Sequence, residues 1–336
     1  MNMRLSIYSH APVRICDIGG WTDTWFSKKG AVFNISVDLY SHIRVSENNL
    51  NSIRISSDNL ELNSVISDFN NIEYNGTLDL LKAAVKKIGI KKGIDINVRA
   101  DSPPGSGTGT SASVAVALIA ALAMYKKKDL KKFQIAKLAH KIETEELKLE
   151  SGVQDQYAAA FGGINFMKID YPSVKIYNIK VNKKKIFELE NQLILVYLSS
   201  RSSNEMHKAV LDNYLNKNKK TLESFKIMKA CAYEMKKAIK SNILDFARVM
   251  NRNWEAQKEL HSLMVNPTIE NLEKIVKDNG AIGFKCNGAG GGGSATILAG
   301  SGNKDNLSKE ITKAGYKLLP CKLDFNGVAC YQEYKN

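Results

Sequence analysis

At 336 residues, 44% of them apolar and 24% charged, the chain has the composition of a packed protein large enough for two domains, which excludes a disordered tail. Its net charge of +14 rests on forty Lys and only eight Arg, set in short runs such as KKKDLKK and KNKK without interleaved aromatics; this excludes a nucleic-acid groove and leaves a basic surface suited to anionic small molecules. The longest nearly apolar run, Ala112 to Met124, is shorter than the ~20 residues that cross a bilayer, no signal-peptide pattern opens the chain, and five widely spaced Cys form neither a disulfide framework nor a zinc site, so a cytoplasmic protein without membrane or nucleic-acid partners is expected.

In chain order, β-branched and aromatic residues predict strands at RLSIYS, AVFNISVDLYSHIRVS and SIRISS. Between the first two lies SHAPVRICDIGGWTDTWF, in which Arg14 and Asp23 are charges inside an apolar stretch and Gly19-Gly20 allows close backbone approach. Charges so placed need partners. Either they form a structural pair beneath a tight turn, or Asp23 meets sugar or alcohol hydroxyls and Arg14 stands beside a reacting carboxylate or phosphoryl oxygen.

A helix over about 78–88 and a strand, GIDINVRA, lead into DSPPGSGTGTSASVAVALIAAL. Gly105, Gly107 and Gly109 let successive N–H groups turn toward one point, where a helix starting near Thr110 adds its unpaired amides and positive dipole end. The pattern is an anion cradle, most simply for phosphate, with the hydroxyls of Thr108, Thr110, Ser111 and Ser113 in reach of a metal. It is not a P-loop, because no G-x-x-x-x-G-K-[ST] string exists. Nor is it a dinucleotide-binding turn: two prolines separate it from the strand, and the region ~20 residues on is lysine-rich helix.

A buried helix over about 110–125 and two more, over about 130–147 and 152–161, come next. Within KIETEELKLESGVQDQYAAAFGG, a break at Ser151-Gly152 puts Asp155 in or near the first turn of the later helix. Glu143 with a hydroxyl such as Ser111 is the sparse coordination Mg²⁺ prefers when substrate phosphates and water complete its octahedron. Asp155 suits a base, or an electrostatic partner, for an attacking hydroxyl. After strands at GINFMKI and VKIYNI, a lysine-rich turn at Lys183 to Lys185 marks a soft boundary between domains 1–185 and 186–336. Beyond it the patterns predict a strand at QLILVYL, three amphipathic helices within 203–264, a helix over about 269–279, and strands at AIGFKC, SATILAG, KLLPCKLD and VACYQEY. Strands mixed unevenly with helices argue an α+β fold. The glycine string of KCNGAGGGGSATIL exceeds what a turn needs and again implies close backbone approach. His207 and His261 read as structural.

Three ordered segments, APVRICDIGGWTDT, PPGSGTGTSAS and KCNGAGGGGSATIL, resemble the signature motifs of the GHMP kinases (galactokinase, homoserine kinase, mevalonate kinase, phosphomevalonate kinase). The resemblance implies an N-terminal α+β domain and a ferredoxin-like C-terminal domain with the active site between them, ATP as phosphoryl donor, and Mg²⁺. It implies Ser111 and Glu143 as metal ligands, Asp155 as the catalytic aspartate and Arg14 as its support. Pro104, Gly105, Ser106, Gly107, Thr108, Gly109, Thr110 and Ser111 would wrap the ATP phosphates, and Gly288, Gly290 and Gly291 would shape the cleft from the other domain.

Gly20, Trp21, Thr22 and Asp23 take the sugar-binding position. Galactokinases read GEHTDY there; GGWTDT is closer to the GGWSDT of fucokinases and the GGGTD of D-glycero-D-manno-heptose 7-phosphate kinases, both of which phosphorylate the anomeric hydroxyl. The segments LVYLSSRSSNEMHKAV and AQKELHSLMVNPTIENLEKIVKDNGAIGFKCNGAGGGG also look like the heptose kinase branch. Trp21 suits stacking on a sugar face or lining a 6-deoxy pocket. Arg201 would meet a substrate phosphate, with a salt bridge to Glu205 as its alternative. The expected activity is transfer of the ATP γ-phosphoryl group to the C1 hydroxyl of a monosaccharide, foremost heptose 7-phosphate. A fucose- or galactose-type sugar kinase, then a non-sugar GHMP small-molecule kinase, are the alternatives. Nothing in the sequence specifies an oligomeric state.

Overall fold

The computed structural model describes residues 4–200 and 204–335. In its first part the chain runs through β1 (Arg4–Ile18), β2 (Lys29–Glu47), β3 (Ile53–Ser57), β4 (Leu62–Ile66), α1 (Asp79–Ile88), β5 (Ile94–Ala100), α2 (Thr110–Tyr125), α3 (Lys132–Lys141), a π turn (Ile142–Glu146), α4 (Gln154–Phe161), β6 (Ile164–Asp170) and β7 (Ser173–Asn178). It continues through α5 (Lys183–Glu190), β8 (Leu193–Ser199), α6 (Asn204–Leu215), α7 (Lys219–Ala238), α8 (Ile243–Lys258), α9 (Pro267–Asp278), β9 (Ala281–Cys286), β10 (Gly293–Ala299), α10 (Lys304–Lys313), β11 (Lys317–Leu319) and β12 (Ala329–Lys335).

β2 is long enough, at 19 residues, to serve two neighbours along one edge: its end pairs with β5 and its start with β6, while β1 runs along the other edge. The larger sheet is therefore ordered β12-β1-β2-β5-β3-β4, with the β6–β7 hairpin branching from β2. The smaller sheet is ordered β11-β8-β10-β9 with every neighbour antiparallel. With helices between β8 and β9 and between β10 and β11, this is the ferredoxin-like arrangement. The chain thus has the two-domain α+β arrangement expected from its sequence, and its last strand returns to pair with β1 of the larger sheet.

α2 is apolar on all sides because it is buried on all sides, packed against β1, β2, α1, α3 and α4. α7 and α8 fill the space between the sheets; their buried Ala232, Met235, Phe246 and Met250 meet Ile15, Phe33 and Leu195 in one apolar cluster. Each starts on an Asn whose side chain accepts a first-turn N–H, Asn218 for α7 and Asn242 for α8.

Four expectations are corrected. β1 does not stop at Ser9 but runs on to Ile18, because Ala11 to Ile18 are all buried between layers. Lys183 to Lys185 form no turn; they are the first turn of α5, held by Asn182 accepting from the Lys185 N–H. The helix expected over 130–147 ends as α3 at Lys141 and widens into the π turn. Of KLLPCKLD only Lys317–Leu319 is strand. Two elements gave no signal: β4, mostly exposed at the sheet edge, and α10, whose buried face is only Leu307 and Ile311.

Candidate active site

The site starts from breaks in β1. Its register against β2 shifts between Pro12 and Val13 and again between Ile15 and Ile18, where Cys16 sits at φ 52°, a left-handed conformation unusual for a residue with a β-carbon. Arg14 and Asp17, around that break, both line one pocket together with Trp21, Asp23, Thr24, Gly152, Gln154, Asp155, His207, Gly288 and Ala289.

Arg14 is buried and forked onto Asp155: Nε donates to Oδ1 at 2.8 Å and Nη2 to Oδ2 at 3.0 Å. Its Nη1 donates to the carbonyl of Gly107, and its backbone N–H to that of Thr108 at 2.9 Å. Burial works against the guanidinium charge, but Asp155, Asp17 and Asp23 around it hold its pKa above the ordinary value. Asp155 itself stands in the first turn of α4, as its spacing from the Ser151-Gly152 break predicts.

The glycine collar lies directly against this pair. Gly105, Gly107 and Gly109 all have positive φ, and between them Ser106 and Thr108 turn their hydroxyls inward. Those hydroxyls and Ser102 form a closed triangle, with contacts of 2.9, 2.9 and 2.8 Å. The collar is thus pinned from below by side chains, and the helix it opens begins at Gly109 without a side-chain cap. A β-carbon on Gly109 would come within 3.0 Å of Asp155 Oδ2, so glycine is what lets the collar touch the aspartate. Pro104, Gly105, Thr110 and Ser111 also border a second pocket, of about 310 Å³, walled by apolar residues such as Leu62, Leu81, Val98 and Val114.

Glu143 sits in the π turn, a helical distortion frequent at functional sites. One carboxylate oxygen, Oε2, accepts from Ser151 Oγ at 2.6 Å and from Gln156 Nε2 at 2.8 Å. The other, Oε1, is buried and finds no partner among the described residues. Burial pushes the Glu143 pKa up to about 7, with the Asp155 charge adding to the rise and the bonds from Ser151 and Gln156 opposing it. An orphaned buried carboxylate oxygen fits a Mg²⁺ ligand; Ser111 is exposed in the first turn of α2.

Asp23 is buried beneath the start of α4, where Oδ2 accepts the Gln154 N–H at 3.1 Å. Burial, then the Asp155 charge, raises its pKa to about 6 against the pull of backbone donors and Arg14. A β-carbon on Gly152 would lie 2.2 Å from Asp23 Oδ2, so that glycine makes the seat possible. The bland pairing of Arg14 with Asp23 is not what forms; Arg14 takes Asp155 instead.

The second glycine string meets β1 through a buried ion pair. Lys285 Nζ donates to Asp17 Oδ1 at 3.1 Å, to Gln257 Oε1 at 3.0 Å and to its neighbour Cys286's carbonyl at 2.7 Å, and Asp17 also accepts the Gly288 N–H at 3.1 Å. Asn287 and Asn253 add bonds to the N–H groups of Cys16 and Gly19 at 2.9 and 2.8 Å. The two sheets are therefore tied together beside the pocket.

The remaining sequence-derived residues divide. Gly20 lies against Asp17, and Trp21 is on the pocket wall. Thr22 is a structural clasp: its hydroxyl donates toward the Gly19 and Ala31 carbonyls and accepts the Ala31 N–H. Gly288 borders the pocket, whereas Gly290 and Gly291 pack away from it on Met264, Leu263 and Met206. Arg201 lies outside the described residues. His207 lies at the pocket with its ring against that of Trp21, tilted by 39°; His261 is no helix residue but caps a 3₁₀ turn. Asp17, Lys285, Gln154, Gln156 and Gly152 were not anticipated. Asp17 and Lys285 carried the very signal that marks Arg14 and Asp23, a charge inside an apolar strand.

Two family models match the chain: GHMP kinases N terminal domain over residues 75–163, and GHMP kinases C terminal over 235–317. The D-glycero-alpha-D-manno-heptose 7-phosphate kinase of Campylobacter jejuni is 30% identical over 325 residues, covering 92% of this chain and 94% of its own. The bifunctional fucokinase/GDP-fucose pyrophosphorylase of Arabidopsis thaliana is 28% identical over 316 residues, 87% of this chain and 30% of that protein. A crystal structure described as a D-glycero-D-manno-heptose 1-phosphate kinase from Bacteroides thetaiotaomicron shares the fold with a TM-score of 0.81 at 24% identity, covering 98% of this chain and 100% of that one. Among the described residues no helix is long and apolar enough to cross a membrane. With its glycine collar, its forked Arg14–Asp155 pair and matches to both family halves, this chain belongs to the GHMP kinase family and is a phosphotransferase.

Proposed function

We propose that the protein is an ATP-dependent sugar kinase that transfers the γ-phosphoryl group to the anomeric (C1) hydroxyl of D-glycero-D-manno-heptose 7-phosphate. The observation that carries the reading is the Asp155 carboxylate, held by both arms of Arg14 in a pocket that the phosphate-type collar touches. In phosphoryl transfer the protein chiefly orients the nucleophile and stabilises charge on the phosphoryl oxygens. Asp155 accepts or orients the proton of the attacking hydroxyl, and Arg14 fixes that carboxylate in direction. Asp23, on its glycine seat, takes sugar hydroxyls. The collar from Pro104 to Ser111 and the start of α2 receive the triphosphate, and the apolar pocket beyond Gly105 receives the base.

Glu143 and Ser111 would hold Mg²⁺, which when bound neutralises charge on the phosphate oxygens. Among the described residues no group of three or more His, Cys, Asp or Glu is gathered for a metal, so phosphates and water would complete its shell. We read the chain as an ATP-binding domain, 1–185, and a second domain, 186–336, whose last strand returns to the first.

L-Fucose as the acceptor is the second reading, favoured by Trp21 at the position where fucokinases carry Trp. The test is coupled ADP release with heptose 7-phosphate, fucose, galactose, mannose and arabinose, followed by NMR location of the new phosphate. ADP release confined to the heptose phosphate, with product phosphorylated at C1, is the expected result. Turnover of none of these sugars would end the sugar reading.

A further inference from the structure

Glu143 offers its two carboxylate oxygens unequally. Oε2 takes the Ser151 hydroxyl at 2.6 Å and the Gln156 amide at 2.8 Å, while Oε1, itself buried, takes nothing among the described residues. Gln156 is 0% exposed, and the protons of this group can be counted. One amide hydrogen of Gln156 goes to Oε2 and the other to Ser151 Oγ at 3.4 Å, which leaves the single hydroxyl hydrogen of Ser151 for Oε2. The Gly152 carbonyl, 3.0 Å from the same hydroxyl, is the longer and uncharged competitor. Turning the amide over would set its carbonyl oxygen against a carboxylate oxygen, so the direction of the donors is fixed. Gln156 Oε1 has no partner among the described residues either, so the hydrogen bonds its side chain makes there are those to Glu143 and Ser151.

Resting on the reading of Glu143 as a Mg²⁺ ligand, we propose that Ser151 and Gln156 are positioning residues that hold Oε2 and reserve Oε1 for the metal, so that Glu143 bonds through one oxygen and the site favours Mg²⁺ over Ca²⁺. Mg²⁺ demands a compact octahedron and takes few protein oxygens, whereas Ca²⁺ accepts ~6–8 oxygens and readily spans both oxygens of one carboxylate. A carboxylate with one oxygen already holding two donors serves the first metal and withholds the two-point grip from the second. Partners that orient a ligating group typically account for about ten- to hundred-fold in metal affinity. Ser151 belongs to the loop before α4 and Gln156 to the first turn of α4, one residue beyond Asp155. The turn that presents Asp155 to the acceptor thus also orients the metal ligand.

The test uses the intact protein with AMP-PNP bound and Mn²⁺ as the probe, its binding and its displacement by Mg²⁺ and by Ca²⁺ followed by electron paramagnetic resonance. The nucleotide's own metal preference is common to all variants, so a changed ratio reports the protein. In Ser151→Ala and in Gln156→Met, Mn²⁺ is expected to bind about tenfold more weakly, and the ratio of the Ca²⁺ and Mg²⁺ competition constants to shift about tenfold toward Ca²⁺. A merely structural role would lower stability without moving that ratio. If Gln156→Met does not fold, Ser151→Ala, in a half-buried loop, carries the test alone. An unchanged ratio in the folded variants, with Mn²⁺ binding weakened in the reference variant Glu143→Gln, would overturn the inference alone. Mn²⁺ binding untouched by Glu143→Gln would remove the Mg²⁺ reading and the inference with it.

Discussion

Two buried carboxyls of the pocket region carry pKa values that burial raises, Asp23 to about 6 and Glu143 to about 7. For Glu143 the unfolded chain loses its proton near 4.5 and the folded chain near 7. Between those values a rising pH favours the unfolded state, and above them the fold carries the whole cost, ~3 kcal/mol. Replacing Glu143 by Gln keeps an oxygen for Ser151 and Gln156 and removes the charge. In EDTA, Glu143→Gln is therefore expected to melt higher than wild type at pH 8 and to match it below about pH 4.5, while losing turnover. Thermal melts across pH check this; a lower melting temperature at pH 8 would show that the buried carboxylate is not the strained group. The sequence marked this residue as a lone carboxylate that with Ser111 suits Mg²⁺, a role the kinase resemblance also implies. Its orphaned oxygen was not legible there, because that depends on Ser151 and Gln156 occupying the other oxygen.

The elements that present these groups were only partly readable. α2 was legible because an all-apolar run after a glycine collar can only be a buried helix, and its observed ends are those expected. The π turn was not, since periodicity at 3.6 residues continues through it while the backbone adds a residue. Nor did the sequence reveal why Gly152 is glycine: only the fold brings it over Asp23. Gly152→Ala would force its β-carbon into Asp23 Oδ2, so we expect a loss of ~1–3 kcal/mol in urea unfolding. The sugar KM should rise at least about tenfold with ATP affinity kept, since the displaced carboxylate faces the acceptor. Gly302→Ala, whose added β-carbon meets nothing within 4 Å but whose φ of 70° costs any β-carbon ~1 kcal/mol, is the control for the kinetics and should leave both kinetic constants near wild type. Equal rises in the sugar KM for the two substitutions would contradict the seat assigned to Gly152.

At the scale of the molecule, β1 is locked beside the pocket to β9 and the glycine string through Asp17 and Lys285, both almost fully buried. Removing one partner leaves an uncompensated charge, whereas removing both leaves a gap that apolar side chains can fill. Lys285→Met and Asp17→Leu alone should each cost ~3–5 kcal/mol, and the double variant should recover much of that, as read by urea denaturation. Strictly additive losses would argue against the pair. The overall architecture was legible because the three glycine-rich motifs keep their order. The lock was not, because its members stand 268 residues apart and only the fold brings them together. The account as a whole turns on Asp155 meeting the acceptor hydroxyl. The most direct measurement is ADP release by Asp155→Asn in parallel with its ATP affinity by calorimetry: turnover should fall by ~10²-fold or more with ATP binding retained. Near-normal turnover in that variant would contradict the mechanism.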